Sequence, residues 1–176
     1  MGRPITIRPL AASDADAAVE VINEAARWYR DFLPPEEYHE PEMSRAEWMA
    51  EARRLAWYGA FATGRLLGVM GLEPSGDAIL LRHAYVQPGE QRRGLGVRLV
   101  EHLEAEARRV HPSARRIIVG TYRANTRARG ALDKLGYRPS PEPEHVLRAH
   151  YAIPEDRLRA SLTYEKPLGG PSCSTS

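Results

Sequence analysis

The chain has 176 residues, 43% of them hydrophobic and 27% charged, with a formal net charge of +2. That mix is ordinary for a globular protein and excludes a disordered or fibrous chain, while the length suits one domain around a single core. No apolar run nears the ~18–20 residues of a membrane helix, MGRPITIRPL carries no secretory h-region, and a single cysteine, Cys173, excludes a disulfide framework and a cysteine-based metal site.

The elements follow in chain order. Ile5–Arg8 alternates as a first strand. Ser13 is the expected cap of a first helix, with Asp14 and Asp16 favourable in its first turn. Ala18, Ile22, Ala25, Tyr29 and Phe32 fall at helical spacing, which carries that helix to about Asp31, before Pro34-Pro35 stops it. An acidic loop, Pro35–Met43, leads to a second helix at Arg45–Leu55, opened by a Ser44/Glu47 capping box. Trp57–Ala62, Leu66–Leu72 and Ala78–Gln87 read as a three-stranded antiparallel meander separated by turn residues. Leu95, Leu99, Leu103, Ala107 and Val110 then mark a helix that ends before Pro112.

Arg116–Tyr122 is a strand, and Asn125–Leu135 is a short helix closed by Gly136. Tyr137 starts a strand broken by Pro139, and residues 139–156 read as an irregular Pro-rich excursion. Leu158–Lys166 alternates as the last strand, and residues 169–176 are expected to be a loose tail after a single domain over 1–168. One strand–helix–strand crossover inside an otherwise antiparallel sheet predicts an α/β (α+β) fold. It has a single mixed, mostly antiparallel six- to seven-stranded sheet with helices on both faces.

Charge is unevenly spread. Residues 31–51 hold seven acids against one arginine, whereas residues 92–129 hold ten arginines against three glutamates. The sharpest local signal lies at the head of the basic stretch, where a strand, a turn with two glycines and a helix follow one another: Tyr85-Val86-Gln87-Pro88-Gly89-Glu90-Gln91-Arg92-Arg93-Gly94-Leu95-Gly96. A helix N-terminus presents unpaired N–H groups and a partial positive charge, so it captures anions. Gly94 and Gly96 let a phosphate approach the backbone, and Arg92 and Arg93 add charge. A dinucleotide fingerprint would need glycine where Leu99 stands, and a P-loop would need Gly-Lys-Ser/Thr where Gly96-Val97-Arg98 stands. The pyrophosphate loop of coenzyme A-dependent acyltransferases, Gln/Arg-x-x-Gly-x-Gly/Ala, is met in full by Gln91-Arg92-Arg93-Gly94-Leu95-Gly96.

A second block, Asn125-Thr126-Arg127-Ala128-Arg129-Gly130-Ala131-Leu132-Asp133-Lys134-Leu135-Gly136-Tyr137, resembles the N-x-x-A-x-x-L-Y-E-K-L-G-F signature of the GNAT superfamily of N-acyltransferases. The order of the blocks and the expected elements over residues 3–166 follow that family's fold. The resemblance implies acetyl-CoA as donor and an amine as acceptor, a small amine being expected, with no metal. It implies that the backbone of Tyr85, Val86 and Gln87 pairs with the pantetheine arm. The loop amides from Arg93 through Leu95 to Gly96 would take the pyrophosphate, and Asn125 would face the coenzyme.

An alkyl amine is mostly protonated at neutral pH, so a base or a water-linked proton exit is needed; Glu73 and His83 are the candidates. The family commonly has a tyrosine that protonates the departing thiolate where this chain has Leu132. Tyr122, Tyr137 and Tyr151 are the phenols available, Tyr151 being preferred because it lies in the Pro-rich segment. The acids Asp31, Glu36, Glu37, Glu40 and Glu42 would draw in a cationic amine. A non-catalytic acyl-CoA sensor of the same fold is the alternative. No nucleic-acid module accompanies the arginines, no membrane partner is expected, family members often form homodimers, and the cytoplasm is the default compartment.

Overall fold

The structure is a computed structural model that describes residues 3–169. The expected tail beyond Gly169, with Cys173, lies outside the described residues. The elements are β1 (Thr6–Pro9), α1 (Ala15–Ala26), α2 (Arg45–Glu51), β2 (Ala56–Ala62), β3 (Arg65–Ser75), β4 (Ala78–Val86), α3 (Leu95–Val110), β5 (Arg116–Tyr122), α4 (Thr126–Lys134), β6 (Arg138–Pro139), α5 (Pro143–His150), α6 (Glu155–Ala160) and β7 (Ser161–Pro167). Seven strands form one mixed, mostly antiparallel sheet in the order β1-β2-β3-β4-β5-β7-β6. No helix among the described residues is long and apolar enough to cross a membrane.

The chain divides into two compact units. One takes the residues up to Glu73 together with Arg82–Leu103, and the other takes Pro74–Leu81 together with Glu104 onward. In the first unit, β2 pairs antiparallel with β1 (Ile7↔Ala60) and with β3 (Tyr58↔Met70). Its core joins Ala18, Ile22 and Ala25 of α1 to Trp48 of α2, Trp57 of β2, Val69 of β3 and Tyr85 of β4. Two hydrogen bonds from Asn23 on α1, Nδ2 to the Met43 carbonyl and Oδ1 from the Met43 N–H, both 3.0 Å, pin the end of the acidic loop. Ser44 and Glu47 then cap α2 reciprocally, as the sequence predicts.

Two expectations about the first helix need correction. Ser13 lies inside a short 3₁₀ turn, Ala12–Asp14, and is not the cap. The Asp14 carboxylate instead accepts the Ala11 N–H at 2.8 Å and pairs with Arg8. After Ala26 the chain tightens to 3₁₀ geometry over Arg27–Asp31.

In the second unit, the start of β4 pairs parallel with β5 (Ala78↔Arg116 to Leu81↔Val119), and β7 pairs antiparallel with β5 and β6. The segment expected to be irregular is largely helical. Pro143 occupies the first turn of α5, where its missing N–H costs nothing, and Val146 and Leu147 supply a buried face. The last strand consequently starts at Ser161, because Leu158 belongs to α6. A buried polar network also holds this unit. The Tyr137 hydroxyl donates to Glu104 at 2.8 Å, and Lys166 Nζ donates to both Glu104 oxygens at 3.0 and 3.1 Å and to the Leu135 carbonyl.

Candidate active site

The glycine-rich turn is built by the end of β4. Its Gln87 N–H donates to the Leu67 carbonyl of β3 at 2.9 Å, and the Gln87 carbonyl accepts from Glu90 N–H across a 3₁₀ turn, Pro88–Glu90. Gln91 folds back, its Nε2 donating to the Val86 carbonyl at 3.0 Å. Three of the backbone groups expected to serve the pantetheine arm, the Val86 carbonyl and both groups of Gln87, are thus engaged within the chain. Glu90 is held by Arg3 at 2.7 Å and Arg93 at 3.5 Å, the Arg3 bond chiefly keeping its carboxyl below the usual range.

Arg92 and Gly94 are both left-handed, at φ +63° and +78°. The Gly94 carbonyl accepts the Arg98 N–H at 3.0 Å, closing the first turn of α3. The N–H groups of Leu95, Gly96 and Val97 therefore have no partner within the helix, at the positive end of a 16-residue dipole. A Cβ at Gly94 would meet nothing within 4 Å, and one at Gly96 only Val86 Cγ2 at 4.0 Å. The two glycines leave open space that the fold itself does not need.

A charged cluster lies further back on β4 and its neighbours. Glu73, at the end of β3, accepts from Arg54 Nη1 at 2.9 and 3.1 Å and from Arg82 Nη1 at 2.8 Å, and its side chain is 12% exposed. Arg54 also clasps Glu51 at the end of α2, Nη2 lying 2.6 Å from Oε2. The same Glu51 oxygen lies 3.0 Å from His83 Nε2, and the His83 side chain is 19% exposed. Those two partners, His83 foremost, pull the Glu51 carboxyl from an ordinary 4.5 down to about 2. The imidazole also lies against Trp57, centroids 5.3 Å apart, and Trp57 stacks on Trp48 at 5.5 Å.

Both indole N–H groups are buried without a hydrogen-bond partner among the described residues. His83 itself has φ +54°, a left-handed conformation that strains a residue bearing a Cβ and that gathers at functional positions. The two base candidates therefore sit in one cluster with different surroundings. Glu73 has both oxygens bonded to guanidinium groups, while His83 has one ring nitrogen bonded to a carboxylate. Glu51, Arg54 and Trp57 are not among the site residues expected from the sequence, since nothing local couples them to residue 83.

The acidic loop reaches the same unit. Glu42 accepts from the Tyr85 hydroxyl at 3.0 Å, and burial above all raises the Tyr85 phenol well past its ordinary range. Glu40 accepts from Tyr38 at 3.0 Å and faces Arg27 at 3.5 Å. Glu42 and Glu40 therefore have structural partners, which the sequence reading of a purely attractive field did not contain.

The remaining candidates belong to the second unit. Asn125 is 8% exposed and caps α4, its Oδ1 accepting the Ala128 N–H at 3.1 Å. Leu132 is 5% exposed and apolar, so it carries no proton. Tyr137 is fully buried, donates to Glu104, and has its phenol pushed far upward by burial, which removes it as a donor to a thiolate. Tyr151 follows the last residue of α5 in an extended conformation and opens the irregular link of residues 151–154, and its ring packs where Gly120 leaves room: a Cβ there would lie 3.4 Å from its Cζ and Oη.

Comparison with known proteins identifies the family and the fold. The family model described as acetyltransferase (GNAT) family matches residues 22–137. No curated protein matches the chain at the sequence level. Among solved structures, the PaiA N-acetyltransferase from Thermoplasma acidophilum in complex with coenzyme A is 20% identical with a TM-score of 0.73, over 93% of this chain and 99% of that one. An N-acetyltransferase of a ribosomal-protein alanine from Escherichia coli is 18% identical with a TM-score of 0.70, over 98% and 99%. A GNAT-family acetyltransferase from Staphylococcus aureus is 14% identical with a TM-score of 0.72, over 94% and 100%. At such identities the structures speak for the fold, while the family model spans most of the chain and both signature blocks: the chain belongs to the acetyltransferase (GNAT) family.

Proposed function

We propose that the chain, acting as one domain over residues 1–168, is an N-acetyltransferase. It moves the acetyl group of acetyl-CoA to a primary amine by direct attack in a ternary complex. The observation that carries this reading is the turn from Gln91 to Gly96. Its glycines face open space, and it delivers three helix amides without intrahelical partners. A pyrophosphate is the kind of ligand such a turn suits, since the amides, the dipole and Arg92–Arg93 all favour negative charge. The coenzyme A present in the Thermoplasma neighbour supports the same donor.

The acceptor amine must lose a proton before it attacks. His83 is the base in this reading, ahead of Glu73, because both oxygens of the Glu73 carboxylate already accept from the guanidinium groups of Arg54 and Arg82. Tyr151 is the proposed donor to the departing thiolate. The acids of residues 31–42 favour a small cationic amine over an acidic one. An acetylation assay over a broad amine panel, reading released coenzyme A, tests the reading. Turnover with a small amine is expected; stoichiometric acetyl-CoA binding with no turnover on any amine would refute it in favour of an acyl-CoA sensor.

A further inference from the structure

We propose that Glu51 is a positioning residue for His83: it keeps Nε2 protonated, so that Nδ1 carries the lone pair that deprotonates the acceptor amine. This rests on the reading of the chain as an amine acetyltransferase with His83 as base. The hydrogen-bond inventory carries it. Glu51 accepts two contacts from one Arg54 nitrogen, so it is an ionised, acceptor-only carboxylate. A nitrogen 3.0 Å from such an oxygen must be the donor, which fixes the proton on Nε2. In the neutral ring Nδ1 is then the acceptor, and it has no protein hydrogen-bond partner among the described residues.

The carboxylate is itself fixed. Arg54 ties it to Glu73, and Glu73 is tied to Arg82, so four groups from α2, the turn after it, β3 and β4 form one chain of bonds. Trp57 covers the ring laterally at 5.3 Å. Turning the ring over would exchange Nε2 for a carbon facing the carboxylate and lose the bond. The strained φ of His83 directs this side chain from a strand whose regular geometry would place it otherwise.

The ammonium of the acceptor gives one proton to Nδ1, leaving a neutral amine and an imidazolium that Glu51 stabilises. The amine nitrogen bonds to the thioester carbonyl carbon, and the carbon–sulfur bond breaks. The second proton of that nitrogen ends on the thiolate. The amide and coenzyme A leave, and Nδ1 returns its proton to solvent.

The test is long-range proton–nitrogen NMR on the full chain with ¹⁵N-labelled histidine at alkaline pH, the His83 signals being assigned by their loss in His83→Gln. The parent should show the Nε2–H tautomer. In Glu51→Leu, which has no acceptor, that population should fall, and kcat/KM for the amine should drop about tenfold or more at unchanged acetyl-CoA Kd. Glu51→Asp should recover part of both. A parent with the Nδ1–H tautomer overturns the inference even if Glu51→Leu does not fold. A tautomer unmoved by Glu51→Leu overturns it while the base reading stands. Full kcat in His83→Gln overturns the base reading and the inference together.

Discussion

Gly96→Ala separates ligand binding from folding at the loop. The position is the second residue of α3, its φ is not in the left-handed region, and the added methyl would meet only Val86 Cγ2 at 4.0 Å, an ordinary contact. The fold therefore has no reason to object. Alanine in place of a helical glycine stabilises by up to ~1 kcal/mol, or roughly 2–4 °C in Tm for a chain of this size. The proposed pyrophosphate does object. A helical Cβ points back toward the N-terminus, over the amides that would hold the anion. The phosphate oxygen would have to withdraw, losing at least one hydrogen bond to a charged group, worth about 1.5–3 kcal/mol. Acetyl-CoA affinity should fall by roughly tenfold to 150-fold. Gly94→Ala would be a poorer probe, because φ +78° adds ~1–2 kcal/mol of backbone strain. Titration calorimetry with acetyl-CoA and a thermal melt on the same sample decide the matter. Unchanged Kd in a variant whose Tm is equal or higher would refute the placement of the pyrophosphate.

Three further outcomes follow. Tyr137→Phe removes one donor from buried Glu104 and should cost ~1–3 kcal/mol, seen as a Tm loss of about 2–12 °C, with kcat unchanged; a lowered kcat in the folded variant would return Tyr137 to the chemistry. Neutralising Asp31, Glu36 and Glu37 together should raise KM for a cationic amine mainly at low salt, an effect that steady-state assays at two ionic strengths would detect. Tyr151→Phe should lower kcat at least about tenfold at unchanged acetyl-CoA affinity, and an unaltered kcat would leave solvent as the proton source.

Sequence reached the fold because its elements announce themselves locally. The helix over Leu95–Val110 and the strand over Arg116–Tyr122 match the expected bounds, since an unbroken apolar period and a flanking Pro112 leave one solution. The Ser44/Glu47 box is likewise a short-range device. Failures came where a local rule has two outcomes. Three prolines in residues 139–143 suggested irregular chain, but Pro143 opens a helix as readily as it ends one, and the apolar pair Val146–Leu147 decided the matter by burial. Ser13 lost the capping role to a tertiary contact, because Asp14 bonds Arg8 of β1 as well as the Ala11 amide.

The candidate site divides along the same line. The anion loop is contiguous, so Gln91, Gly94 and Gly96 were legible as a string; what the string lacked was Gln91 reaching back to Val86 and Arg3 holding Glu90 from 87 positions away. The charged cluster is not contiguous at all. His83 was visible only as a strand histidine, and Glu51, 32 positions earlier, was one acid among seven in its stretch. Their pairing exists because Ser44 starts α2 in a register that ends it on Glu51, and because β4 leaves regular geometry at residue 83. The consequence is testable without substrate. A carboxyl ordinarily near 4.5 and held near 2 in the folded chain stabilises the fold above about pH 4.5, and that contribution disappears as pH falls toward 2. Urea unfolding of the parent and of Glu51→Gln should therefore differ most near neutrality and converge below pH 4.5. Two curves that stay parallel through that window would show that Glu51 makes no such bond in solution, and the positioning of His83 would fall with it.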